Sequence, residues 1–132
     1  MTLPDTDVQL VGRRTAMRLP GVSHGYPLTE FLDVYKVADK VFLIVTDDPA
    51  NLIVTVKVPP ERGRALQRNH ETITPGRYFD KRHWVSVGTG PGITEDLVES
   101  LVIDSYDAVV ENVPLWKRPK YPAKSINSHF QR

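Results

Sequence analysis

Apolar and polar positions divide the chain into a helix, a run of strands, a second helix, another strand and a long final helix. In "PDTDVQLVGRRTAMRLPG", Val8, Val11, Thr15 and Leu19 recur at helical spacing. Asp5 or Thr6 stands where an N-cap belongs, and Pro20-Gly21 stops the element. Gly12 weakens this helix, and Leu10 and Met17 blur its stripe. "VSHGYPL" reads as a short first strand. "LDVYKV" and "KVFLIVT" are strand-sized runs joined by Ala38-Asp39, a tight turn without the favoured Asn-Gly chemistry. "DDPAN" is a stronger turn signal. "LIVTVKV" then alternates, with Leu52, Val54, Val56 and Val58 on one face and Ile53, Thr55 and Lys57 on the other. One covered and one wetter face is the behaviour of an antiparallel sheet.

"PPERGRALQRNH" predicts a short helix with Pro60 at its first position, Ala65 and Leu66 inward, and Arg64 and Arg68 outward one turn apart. "ETITPG" reads as a connector and "HWVSVGTG" as the last strand. "TEDLVESLVIDSYDAVVENV" carries the broadest apolar stripe. Thr94 can cap it, Glu95 and Asp96 suit its positive end, and Pro114 ends it. Strands grouped together and linked by short turns imply an α+β fold, with an antiparallel sheet of about five strands flanked by helices. Residues 1–114 form one domain in this reading, and 115–132 a flexible basic tail.

Charge sharpens that division. The chain of 132 residues carries a net +1, but the tail holds Lys117, Arg118, Lys120, Lys124 and Arg132 and no acid. Residues 1–113 keep 12 of the 17 cations and all 16 acids, a net of −4. Cysteine is absent, which excludes thiolate catalysis, disulfides and cysteine-held metals. The longest apolar run, "VFLIV", is strand-sized, and "MTLPDTDVQL" lacks the basic start and apolar stretch of a signal peptide. The expectation is a cytoplasmic protein with no membrane partner.

Catalytic motifs are missing. "GTGPG" lacks the lysine and spacing of a phosphate-binding loop, no Gly-x-Ser-x-Gly elbow occurs, and the four histidines are dispersed without ligand spacing. No metal or cofactor is expected. Asp80 and His83 could orient each other as an acid–base pair, or Asp80 could simply cap a local turn. The stretch "PGRYFDKRHWVSV" is the richest in chemistry. Arg77, Lys81, Arg82 and His83 alternate there with Tyr78, Phe79 and Trp84, following Arg64 and Arg68 on the helix before it. Cations gather phosphate and aromatics stack on bases. The same residues would equally suit a solvated face near Glu61 and Glu71, with Phe79 and Trp84 in the core.

"RLPGV", "VYKVADKVFLIV", "PGRYFDKRHWVSV" and "LVIDSYDAVVENVP", in that order, resemble the MmcQ/YjbR family over about Val8 to Pro114. "KRHW" followed by "SYD" is the most specific part. Between Gly76 and Lys81, where relatives often carry tyrosine, histidine and asparagine, this chain has Arg77, Tyr78, Phe79 and Asp80. The resemblance implies a small α+β fold and a DNA-binding role through protruding strands and loops, and supplies no catalytic residues. The resulting expectation is a non-enzymatic DNA-binding protein that contacts mainly phosphate, through Arg64, Arg68, Arg77, Lys81, Arg82, His83, Lys117, Arg118 and Lys120. The alternative is a module that binds a small molecule or a protein on its sheet or in a cleft. Trp84, Val85 and Val87 are expected to seat the last strand in the core.

Overall fold

The computed structural model describes residues 6–119. Helix α1, Val8–Met17, is capped by the Asp7 side chain, which accepts from the Leu10 N–H, so the cap is neither Asp5 nor Thr6. Val8, Val11, Thr15 and Ala16 are buried as the spacing predicts. Gly12 faces inward among them. A Cβ there would come 3.1 Å from Val54 Cγ1, so the residue that weakens the helix in isolation is the one that lets it lie close to the sheet.

The strands are β1 (Val22–Gly25), β2 (Leu32–Val37), β3 (Lys40–Thr46), β4 (Ile53–Lys57), β5 (Ile73–Pro75) and β6 (Trp84–Gly88). They form one sheet in the order β1-β2-β3-β4-β6-β5, antiparallel throughout. Two sequence expectations need correction. The stretch read as a connector contains β5, which is too short to show a period but pairs with β6 along the sheet edge. Leu52 stands before β4 and is exposed, while Val54, Val56 and Val58 are buried. Ala38 and Asp39 turn between β2 and β3 with φ of 49° and 64°. That is the hairpin turn with positive φ at both central positions, imposed on residues that do not favour it by the pairing of the strands on either side.

Helix α2, Pro60–Asn69, and helix α3, Glu95–Glu111, lie on the same side of the sheet as α1. Alternation along the strands sends Tyr35, Leu43, Val45, Val54, Val56 and Val85 to that side, against Leu66 of α2 and Val98, Leu101, Val102 and Tyr106 of α3. Thr94 caps α3 by accepting from the Leu97 N–H. One polar residue breaks the α3 stripe with effect. Ser105 is fully buried, donates to the Phe42 carbonyl at 2.6 Å and accepts from the Lys57 N–H at 2.9 Å, so it ties α3 to both β3 and β4. The Tyr106 hydroxyl donates to the Pro20 carbonyl at 2.6 Å and fixes the chain after α1.

The basic segment after Pro114 begins as structure. Leu115–Lys117 make a 3-10 turn, and Arg118 donates to the carbonyls of Val113 and Glu111 at 2.8 and 3.0 Å, closing the end of α3. The flexible tail expected from 115 onward, Lys120 included, otherwise lies outside the described residues.

Candidate nucleic-acid interface

All three helices leave the second face of the sheet bare. Val34, Ile44, Thr46, Thr55 and Ser86 point to it and are nonetheless buried. The segment 76–83, the loop between β5 and β6, folds back onto this face at Thr46, Ser86 and Trp84. The Gly76 N–H donates to the Trp84 carbonyl at 2.7 Å, and the Arg77 N–H donates to Ser86 Oγ at 3.2 Å. The Tyr78 hydroxyl meets Thr46 Oγ1 at 2.9 Å, and Thr55 Oγ1 meets Ser86 Oγ at 2.9 Å. A face that alternation marks as wet is thus polar but closed, its hydroxyls paired with one another and with the loop.

Phe79 lies on Trp84, ring centroids 4.5 Å apart. Trp84 is 9% exposed, buried as the sequence led one to expect, but on this face, opposite Val85 and Val87 of the helix-side core. Gly76 makes the fold-back sterically feasible. A Cβ there would stand 2.5 Å from Trp84 Cβ and 2.8 Å from its carbonyl carbon and oxygen. Gly76→Ala is therefore expected to cost about 1–3 kcal/mol in chemical denaturation; unchanged stability would show that the loop does not need this close approach.

Asp80 organises the far end of the loop. Its Oδ1 accepts from the Arg82 N–H at 2.9 Å, its Oδ2 lies 2.8 Å from His83 Nδ1, and its carbonyl accepts from the His83 N–H at 3.0 Å. The Arg82 N–H first, and then His83, hold the Asp80 carboxyl below the usual range. Both arrangements the sequence left open for this pair are present: Asp80 caps the turn through the Arg82 N–H, and its other oxygen orients the His83 ring. Both carboxylate oxygens are engaged within the loop.

The loop therefore presents Arg77, Lys81 and Arg82 to solvent, with His83 half-buried beside them. Strand parity adds Lys36 and Lys57 to the same face. None of these five cations closes a salt bridge with a described carboxylate. The Asn51 side-chain oxygen, in the amide orientation its surroundings require, accepts from Arg77 Nε and Nη1 at 3.2 and 3.1 Å. A shallow cavity of about 290 Å³ lies between loop and strands, bordered by Asn51, Thr74, Arg77, Lys81 and Ser86. On the other side of the sheet the charge is mixed, with arginines on α1 and α2 and acids on α3. Helix α3 carries six carboxylates and no cation, and Arg14, Arg18 and Arg62 pair with Glu95, Glu99 and Asp104 there.

The remaining sequence candidates are not gathered with the loop. Arg64 and Arg68 are both exposed, as predicted, but on α2, which packs on the helix-bearing side. Lys117 sits over the Trp116 ring at the end of α3, where Arg118 is spent on carbonyls. Lys36 and Lys57 were missed because each is a lone cation in an apolar strand. The parity of Lys57 with Thr55 was the available signal.

A second polar cluster escaped the sequence reading altogether. Asp33 is buried in β2, with His24 Nδ1 at 2.8 Å and Arg13 Nε at 3.4 Å. His24 stacks on Tyr35 at 4.6 Å, and Arg13 also pairs with Asp47. Burial works against the Arg13 charge, but the hydrogen bond to Asp47 and the charge of that carboxylate outweigh it and push the guanidinium pKa up. Burial, then Asp33, pushes the Tyr35 hydroxyl up. The charges satisfy one another, and the cluster bolts edge strand β1 to β2 and α1. Among the described residues there is no group of three potential metal ligands, and no helix long and apolar enough to cross a membrane.

Comparisons with known proteins agree with this architecture. The family model described as YjbR matches residues 17–108. The uncharacterised protein YbdF of Escherichia coli O157:H7 is 31% identical over 101 residues, covering 76% of this chain and 83% of its own. The uncharacterised protein YjbR of Escherichia coli K12 is 30% identical over 83 residues, covering 63% and 70%. A crystal structure of the Deinococcus radiodurans protein DR2400, with the family-model domain DUF419, superposes with a TM-score of 0.73 at 26% identity, over 80% of each chain.

Proposed function

This chain belongs to the YjbR family, and from the cations gathered on the helix-free face of its sheet we propose that it is a nucleic-acid-binding protein, a binder and not an enzyme, that grips phosphate with that face. One observation supports this most. Lys36, Lys57, Arg77, Lys81 and Arg82 share the helix-free side and close no salt bridge with a described carboxylate, while the acids of α3 lie on the other side. Such a field attracts a polyanion and turns it toward one face. The loop gives that face rigidity, because hydrogen bonds at Gly76, Arg77 and Tyr78 tie it to the strands and Asp80 accepts within its turn. Cations on a fixed support set the register of a bound backbone, which a loose tail does not.

The test is a titration of labelled duplex DNA by fluorescence anisotropy at several salt concentrations. Affinity should fall as salt rises. Lys81→Ala and Arg82→Ala should each flatten the slope by about 0.9, as loss of one phosphate contact does, with the circular dichroism spectrum unchanged. Arg64→Ala and Arg68→Ala, on the other side of the sheet, should change the slope less. If the protein binds no nucleic acid at low salt, the reading fails and a small-molecule or protein partner replaces it.

A further inference from the structure

Phosphate contacts leave Phe79 without a purpose. It is 38% exposed, on a polar and cationic surface, between Arg77 and Lys81 in the chain. Its packing on Trp84, with the rings tilted by 35°, covers part of the ring and leaves the remainder open to solvent. The ring is also held. Trp84 backs it at 4.5 Å, and the turn built by Asp80 fixes the backbone immediately after it. A ring with one face supported and the other partly open is a stacking platform.

The same loop borders the cavity of about 290 Å³, with Arg77 and Lys81 at its edge and Thr74 and Ser86 in its lining. Asn51 holds the Arg77 guanidinium in place. An apolar ring and a small polar, cationic recess on one loop match the two halves of a nucleotide, the base and the sugar phosphate. A duplex can use only the second half, because its bases are stacked inward. An unpaired strand can use both.

We propose that the preferred ligand of this face is a single strand, DNA or RNA, with one base stacked on Phe79 and the adjoining phosphate held between Arg77 and Lys81. The proposal rests on the reading of this face as a nucleic-acid interface and goes beyond it in naming the strand and the stacking residue. It also gives Trp84 a second duty, as the backing of the platform.

The experiment compares labelled single-stranded DNA, the same sequence as RNA, the duplex, and a single strand carrying abasic sites, all at one salt concentration. Expected is tighter binding of the base-bearing single strands than of the duplex or the abasic strand. Phe79→Ala should weaken binding of the base-bearing strand by about tenfold or more and leave the duplex and abasic strand unchanged. Phe79→Leu keeps an apolar cover over Trp84 and removes the π-face, so it should reproduce that loss with the fold intact. A preference for DNA over RNA, or the reverse, identifies the natural strand and supports the proposal either way. Equal affinity for duplex and single strand, or no specific loss in Phe79→Leu, overturns the proposal while the phosphate-binding reading stands. No binding of any of the four overturns both.

Discussion

Trp84→Ala is expected to lower the unfolding free energy by about 3–5 kcal/mol, the range for truncating a large buried aromatic. Trp84 packs beneath Phe79 on the helix-free face, and the loop over it is held partly by its own carbonyl through the Gly76 N–H. Truncation would open a cavity under the loop and remove the support of the Phe79 ring. Loop order and nucleic-acid affinity should therefore fall along with stability. Urea denaturation gives the first quantity. Iodide quenching checks the burial, with Trp116, 80% exposed, first changed to Phe so that Trp84, 9% exposed, is the only reporter. Strong quenching of Trp84 in the native state would show that the loop does not cover it, and would remove the basis for the expected loss.

Leu101→Ala should cost about 2–5 kcal/mol, with a different functional signature. Leu101 is fully buried on α3, in the cluster that joins α1 and α3 to the helix-bearing face of the sheet. Its loss leaves a cavity on the side away from the 76–83 loop. Stability should fall, while nucleic-acid affinity measured well below the unfolding transition should change little. A parallel loss of affinity would mean that the two faces are coupled through the strands. A stability change near zero would mean that the helix shifts to fill the space.

The contrast between these substitutions follows the division between what is legible in the sequence and what is not. The final stripe of Leu97, Val98, Leu101, Val102, Tyr106, Val109, Val110 and Val113 is a periodic pattern, and the structure buries every one of those positions but Leu97, which is half-buried. The two helices before it and five of the six strands are legible from local pattern, most clearly where side chains face a water–core boundary that repeats with the period of the element. The β5 strand is not, since Ile73–Pro75 spans too few residues for any period to emerge. Ser105 looks like an interruption of the stripe, and its value lies in two backbone partners, in β3 and β4, far away in the chain.

By itself, then, the sequence determined the α+β class, the inward face of each long element, the turns at Pro20-Gly21 and Asp47–Asn51, and the richness of 75–87 in cations and aromatics. Only the tertiary structure decided what that stretch does. Composition cannot say that Gly76 brings the loop onto the sheet, that Trp84 lies on the helix-free face, or that Asp80 is engaged within its own turn. Nor can it say that Lys36 and Lys57 join Arg77, Lys81 and Arg82 while Arg64 and Arg68 stand on the other side. Periodicity is a local property, fixed by the repeat of a helix or strand against water. The makeup of a site is not local, because it depends on strand order and register, and these are set by the packing of the whole chain.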